Sequence, residues 1–156
     1  SLGWHGNAIL VRRGIEIGAR RRLPLPSLEP RGAVLVELTK GNESLYLVAA
    51  HLSLDRVWRR RQMRAIVDHI APEWRRRTVI AGDFNEWSRD SGMEPLTPEF
   101  AVVSPGRSFH AQRLIAPLDR FAVGAGLTVM ESGVYRGASA RVASDHLPIW
   151  ADILPA

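Results

Sequence analysis

The stretch Thr78-Val79-Ile80-Ala81-Gly82-Asp83-Phe84-Asn85 limits this chain more than any other. The run from Thr78 to Ala81 reads as a short buried strand, and a glycine follows where the backbone must turn closely. Asp83 and Asn85 then stand two residues apart, and side chains at that spacing share one face of an extended segment. They can therefore point together into one cleft: a carboxylate able to bind a hard cation or take a proton, beside an amide able to orient an oxygen ligand. The same residues also make an ordinary Asp/Asn turn at a strand end. Taken alone, the motif weighs the two readings equally.

A chain of 156 residues is one domain by length, with enough apolar content for a folded core. Its longest apolar runs, such as Leu45 to Ala50, fall far short of the ~20 residues that cross a bilayer. The opening Ser1 to His5 lacks the charged and apolar regions of a secretory signal, so a cytoplasmic location is the expectation. Without cysteine there is no disulfide, thiolate ligand or thiol nucleophile, and any metal must be held by oxygen or imidazole. The formal charge of +5 is almost wholly arginine, since Lys40 is the only lysine. Clusters at Arg12-Arg13, Arg20 to Arg22, Arg59 to Arg61 and Arg75 to Arg77 suit either phosphates or a solvated surface. The solvated surface is favoured, because the clusters are scattered and no aromatic residues interleave them.

In chain order, Gly6 to Arg13 reads as a strand entering a core, with no earlier structural layer expected. Glu16 and Ile17 begin an exposed strand, and Pro24, Pro26 and Pro30 mark an irregular connection. Gly32 to Leu38 and Leu45 to His51 form an antiparallel hairpin that leaves His51 at a strand mouth. From Asp55 to about Ala71 the spacing is helical, with Met63, Ile66, Val67 and Ile70 on one stripe, Ser53 or Asp55 as cap and Pro72 as the stop. A short helix is expected near Ser91 to Leu96, a brief strand at Phe100 to Val103, and His110 on the surface. Strands return at Leu118 to Val123, Leu127 to Glu131 and His146 to Leu154. Asp119 sits in an otherwise apolar run, a costly place for a carboxylate without a partner. The pattern is one α+β domain of mainly antiparallel strands with at least one covering helix.

Four signals thus fall at strand ends: Gly6-Asn7-Ala8-Ile9-Leu10, His51-Leu52-Ser53, Gly82-Asp83-Phe84-Asn85 and Ser144-Asp145-His146, with Leu118-Asp119-Arg120 before the last. The set resembles the endonuclease/exonuclease/phosphatase superfamily, whose members include deoxyribonuclease I, along essentially the whole chain but over only the C-terminal two-thirds of the family domain. The resemblance implies a deoxyribonuclease I-like α/β/β/α sandwich and a metal-dependent phosphoester hydrolase of phosphodiesterase or nuclease type. Carried over, Asp83 would bind metal or position the attacking water, Asn85 would hold a phosphate oxygen, and Asp145 would ligate metal. His146 would donate to the phosphoryl oxygen, with Asp119 as its partner. His51 would contact the scissile phosphate and Asn7 would line the floor of the site. Arg59 and Gln62 are assigned to structure, supporting the His51 loop. Oxygen ligands without thiols point to Mg²⁺ or Mn²⁺ over Zn²⁺. The implied partners are phosphoester substrates, nucleic acid or a phospholipid headgroup.

This chain departs from the family pattern at one point. The family carries an asparagine and a metal-binding glutamate ahead of the Gly-Asn-Ala-Ile-Leu strand, and Glu16, Glu37 and Glu43 do not stand in that context. The expectation is an N-terminally incomplete domain, completed by a missing N-terminal segment of a longer protein, by a second copy or by a separate chain. The rival from another class is a non-catalytic module that keeps the fold and grips a polyanion through arginines.

Overall fold

The computed structural model describes residues 2–4 (backbone), 6–89 and 91–156. Ser1 and His5, part of the opening pentapeptide, lie outside the described residues. The elements in chain order are β1 (Leu2–Trp4), β2 (Asn7–Ile9), β3 (Glu16–Pro24), β4 (Gly32–Lys40), β5 (Glu43–His51), α1 (Arg56–His69), α2 (Pro72–Arg75), β6 (Thr78–Asp83), β7 (Phe100–Val103), β8 (Asp119–Gly124), β9 (Leu127–Val134), α3 (Ala138–Ala143) and β10 (Ile149–Pro155).

Six strands form the main sheet in the order β3-β4-β5-β6-β8-β7, antiparallel throughout except for β5 and β6. The parallel pair needs a crossover, which α1 and α2 supply. Strands β4 and β5 are apolar nearly throughout because both of their faces are covered. Ala33, Leu35, Val48 and Ala50 pack with Met63, Ile66 and Ile70 from the region of α1. Val34, Val36, Leu47 and Ala49 face the other way, onto Ile9 and Val11. On that same side Val79, Phe121 and Val123 meet the antiparallel pair β9 and β10. The result is a layered α+β sandwich, helix on sheet on sheet. Its edge strand β3 keeps its arginines outward, which blunts the edge against pairing with another chain.

Several local departures from the sequence reading have physical causes. The strand expected from Gly6 to Arg13 is only three residues long, and it is preceded by β1, which pairs with it where no earlier layer was expected. Residues 91–96 form bends and turns and no helix, and Gly92 takes a φ of +89°, outside the helical region. The helices α2 and α3 lie in stretches too short for a periodic pattern, and β9 runs three residues further than read. The last strand begins at Ile149 instead of His146, because Pro148 precedes it and His146 belongs to the loop. Helix α1 behaves as its sequence dictates: the Asp55 carboxylate accepts from the Val57 and Trp58 amides, a cap worth about 1 kcal/mol.

No helix among the described residues is long and apolar enough to cross a membrane. Among the described residues, the β1–β2 hairpin and the β9–β10 pair share no backbone ladder. Between them lies a cleft lined by Ala8, Leu10 and Ile149 above Leu47, Ala49 and Phe121 of the main sheet.

Candidate active site

Strand register builds the centre of the site. Parallel pairing sets His51 opposite Asp83, and antiparallel pairing sets Asp83 opposite Asp119, so three side chains from adjacent strands form one row at one end of the sheet. Gly82 is required there: its φ is +140°, and a Cβ would stand 2.0 Å from the Ala50 carbonyl oxygen. The loop entering β10 then brings His146 over the row.

Asp119 does not lie inside its apolar run but opens β8. Its Oδ2 sits 2.7 Å from His146 Nδ1 and accepts from the Ser108 hydroxyl. His146 Nδ1 therefore carries a proton toward Asp119, and its Nε2 faces Asp83 Oδ2 at 3.9 Å. The bond to Asp119 raises the His146 pKa, outweighing the opposing effect of burial. Asp83 receives the Asn85 backbone N–H on Oδ1 at 2.8 Å, and its Oδ2 lies 3.5 Å from His51 Nε2. Burial raises the Asp83 pKa against the lowering effect of the Asn85 amide, and the charge of Asp119 adds to the rise.

His51 sits in the opposite environment. Arg31 Nη1 lies 2.5 Å from His51 Nε2, and because a guanidinium only donates, that ring nitrogen accepts. Burial first, and the charge of Arg31 second, lower the His51 pKa. Arg31 is held in turn by Glu29 at 2.8 Å, and Glu29 by the Ser53 hydroxyl at 3.0 Å.

One depression of about 520 Å³ collects Arg31, His51, Asp83, Asn85, Asp119, Asp145 and His146, walled on another side by Leu54, Trp87, Phe109 and Leu118. Asn85, with φ at +51°, turns its Nδ2 onto the Leu52 carbonyl and ties the two loops together. Asp145 lines the same opening but is exposed, with its Oδ1 3.5 Å from the Ser144 hydroxyl. Asn7 does not line this floor. Its Nδ2 donates to the Gly32 carbonyl, and it opens on the neighbouring cleft, because β2 packs over β4 and β5 and not over the row of acids.

For a metal, the described residues offer Asp83, Asp119 and His146, whose ligand atoms all lie within 4.8 Å of one another. Asp145, expected as a ligand, is not in that group, and Asp119, expected only as a partner, is. The reason is local: Asp145 precedes His146 on an extended turn, and the ring of His146 takes the inward position. The donor set fits a hard cation, since its carboxylate oxygens are joined by no sulfur.

Arg59 and Gln62 buttress the loop after His51. Gln62 Oε1 accepts from the Ser53 N–H at 2.7 Å, and Arg59 Nη1 donates to the carbonyls of Ser53 and Leu54. Sequence reading missed Arg31, Ser108, Trp87 and Phe109. A signal existed for Arg31 alone: it precedes Gly32, and the expected hairpin sets Gly32 opposite His51. His110, expected on the surface, is half-buried beside Phe109.

The chain belongs to the endonuclease/exonuclease/phosphatase family, whose model matches residues 1–146. It is 27% identical over 167 residues to the uncharacterized protein YbhP of Escherichia coli (strain K12), an alignment that takes in 97% of this chain and 63% of that protein. The chain thus spans less than two-thirds of that relative's length. Among solved structures it is similar to the endonuclease/exonuclease/phosphatase from Bacteroides vulgatus, with a TM-score of 0.75 at 18% identity, covering 92% of this chain and 67% of that one. It is also similar to the mannosyl-6-phosphatase of Bacteroides thetaiotaomicron, with a TM-score of 0.74 at 13% identity, covering 90% and 67%. At these identities the likeness carries the fold.

Proposed function

We propose that this domain hydrolyses phosphoesters by attack of water on phosphorus, with Mg²⁺ or Mn²⁺ bound in the pocket. The observation that supports this best is the convergence of Asp83, Asp119, His146 and His51 on one opening from four separate segments. In this reading Asp83 is the general base. Burial raises its pKa, and its Oδ2 faces the two imidazoles while Oδ1 takes the Asn85 N–H. His146 keeps a proton because Asp119 holds its other nitrogen, so Nε2–H can donate to a phosphoryl oxygen as charge grows there. Arg31, held against His51, supplies a second donor for the remaining oxygens, and Asn85 fixes the loop that carries Asp83. Asp83 and Asp119, the two carboxylates of the close-set group, would hold the cation, with Asp145 at the exposed rim of the same opening, and a bound cation would neutralise charge on the phosphoryl oxygens.

The same reading places a further extended segment, from a longer parent chain or a second copy, in the cleft between β2 and β10. Its apolar floor and unladdered strands suit an added strand. The activity test is a panel of phosphodiesters and phosphomonoesters, with and without Mg²⁺ and after chelation. Turnover that appears with Mg²⁺ and vanishes with chelator supports the reading. Polyanion binding that ignores Mg²⁺ and survives Asp83→Ala and His146→Ala, with no turnover of any ester, replaces it with a non-catalytic module.

A further inference from the structure

The pocket has two unlike walls. One is the polar cluster; the other is apolar, and its largest ring, Trp87, is 57% exposed. An indole standing at the mouth of a polar site offers a flat apolar face to whatever binds there, and hydrogen bonds from buried arginines hold the loop that carries it. Arg120, fully buried, donates Nη2 to the backbone carbonyls of Glu86 and Ser88, the residues on either side of Trp87. Arg59, also buried, binds the Glu86 carboxylate at 2.9 Å. Burial alone would disfavour ionised Glu86, but the Ser88 N–H and Arg59 outweigh it and its pKa is lowered, so a full ion pair anchors this loop. One buried guanidinium thus grips the backbone on both sides of the exposed ring, and a second holds the side chain of the residue before it, each costly to bury without such partners.

The ring is also oriented. Phe109 meets it edge-on, with centroids 6.0 Å apart and planes at 77°, and Phe109 in turn lies 5.0 Å from the His146 ring. A line of aromatic surface therefore runs from the imidazole beside the acids to the outward indole. A flat ring landing on Trp87 would meet a surface already ordered, and such preorganisation turns stacking into affinity.

We propose that Trp87, backed by Phe109, is a stacking platform that selects phosphoesters carrying a flat heteroaromatic ring near the phosphorus, that is, nucleoside phosphates. This rests on the phosphoester reading of the pocket and names its substrate class. Fixed ring orientation favours this choice over insertion into a lipid surface, for which partition of the indole matters and its angle does not.

The test uses the full chain, Mg²⁺ and two esters with the same leaving group: thymidine 5′-(p-nitrophenyl phosphate) and methyl p-nitrophenyl phosphate. The wild type should prefer the nucleoside ester in kcat/KM. Trp87→Ala should cut that preference roughly tenfold, within the range of base–aromatic stacking, and Trp87→Phe should retain most of it. Loss of both esters in equal proportion, or no change in the ratio, overturns the proposal. Calorimetric binding of thymidine 5′-monophosphate against inorganic phosphate repeats the comparison without turnover. If neither ester is hydrolysed, the hydrolase reading fails, while the calorimetric ratio still decides whether the platform exists. Weaker binding of Trp87→Ala to phosphatidylglycerol vesicles, with the nucleotide ratio unmoved, would assign the indole to lipid and overturn the proposal too.

Discussion

His51 and His146 stand 3.5 and 3.9 Å from the same oxygen of Asp83, yet their pKa values move in opposite directions. Distance to the shared carboxylate does not separate them. What differs is the rest of each ring's surroundings: Asp119 accepts from His146 Nδ1 on the side away from Asp83, whereas His51 is lowered first by burial and then by Arg31, which donates into the same Nε2 that faces Asp83. A carboxylate behind one ring stabilises its cation, and a guanidinium against the other disfavours it. The row thus presents one imidazole suited to giving a proton and one held neutral, which is the division of labour that acid–base chemistry at a phosphate uses.

The comparison breaks most completely when its common reference is removed. Asp83→Asn should lower kcat by roughly 10³-fold, within the general acid–base range, while the thermal midpoint holds or rises, because the folded state already resists ionisation of this carboxyl. Steady-state rates and melting curves measured together check this, and a melting temperature that collapses along with the rate would show Asp83 to be a structural residue.

Removing the carboxylate behind the second ring should have the next largest effect. Asp119→Asn should cost about ten- to a hundredfold in rate, the usual range for a group that orients a site residue, and bring the His146 pKa down toward its ordinary value of about 6.5. Since the folded-state pKa of His146 is raised, its pairing stabilises the fold fully below about pH 6.5 and loses that contribution as pH climbs through the raised value. Stability curves of the wild type should therefore decline over that window relative to those of Asp119→Asn. NMR titration of the imidazole reads the same shift directly, and an unmoved midpoint would sink the assignment.

The smallest effect sharpens the other half. Arg31→Gln should raise the His51 pKa toward the ordinary range and weaken phosphate-ester binding by roughly fivefold, the size of one modest hydrogen bond. For His51 the linkage runs the other way: its lowered pKa contributes stability above about pH 6.5 that is lost as pH falls through the lowered value. A wild-type His51 that titrates at its ordinary value would remove Arg31 from the account.

Much of the site was legible because strand ends carry their chemistry in short local motifs. Asp83, Asn85, Asp119 and His146 each announce themselves as polar residues set against apolar runs, and Asp83 is introduced by a glycine that the close approach of β5 demands. Arg31, Ser108, Trp87 and Phe109 do not. They lie in irregular segments without periodicity, and their positions depend on which loop folds over which strand end. Asn7 was misplaced for the same reason: its strand was read correctly as entering the core, but the layer in which it packs is a matter of sheet pairing. Arg59 was legible as a support of the loop after His51, but its buried ion pair with Glu86, a partner 27 positions away, was not.

The β4–β5 hairpin, the helix between β5 and β6 and the acids and imidazoles at strand ends were set by sequence alone, since apolar periodicity and turn chemistry act over a few residues. Which of those groups touch, which imidazole holds a proton and which aromatic stands at the mouth were decided by the tertiary structure. Those properties come from register between strands far apart in the chain and from charges that become neighbours only once the sheet has formed.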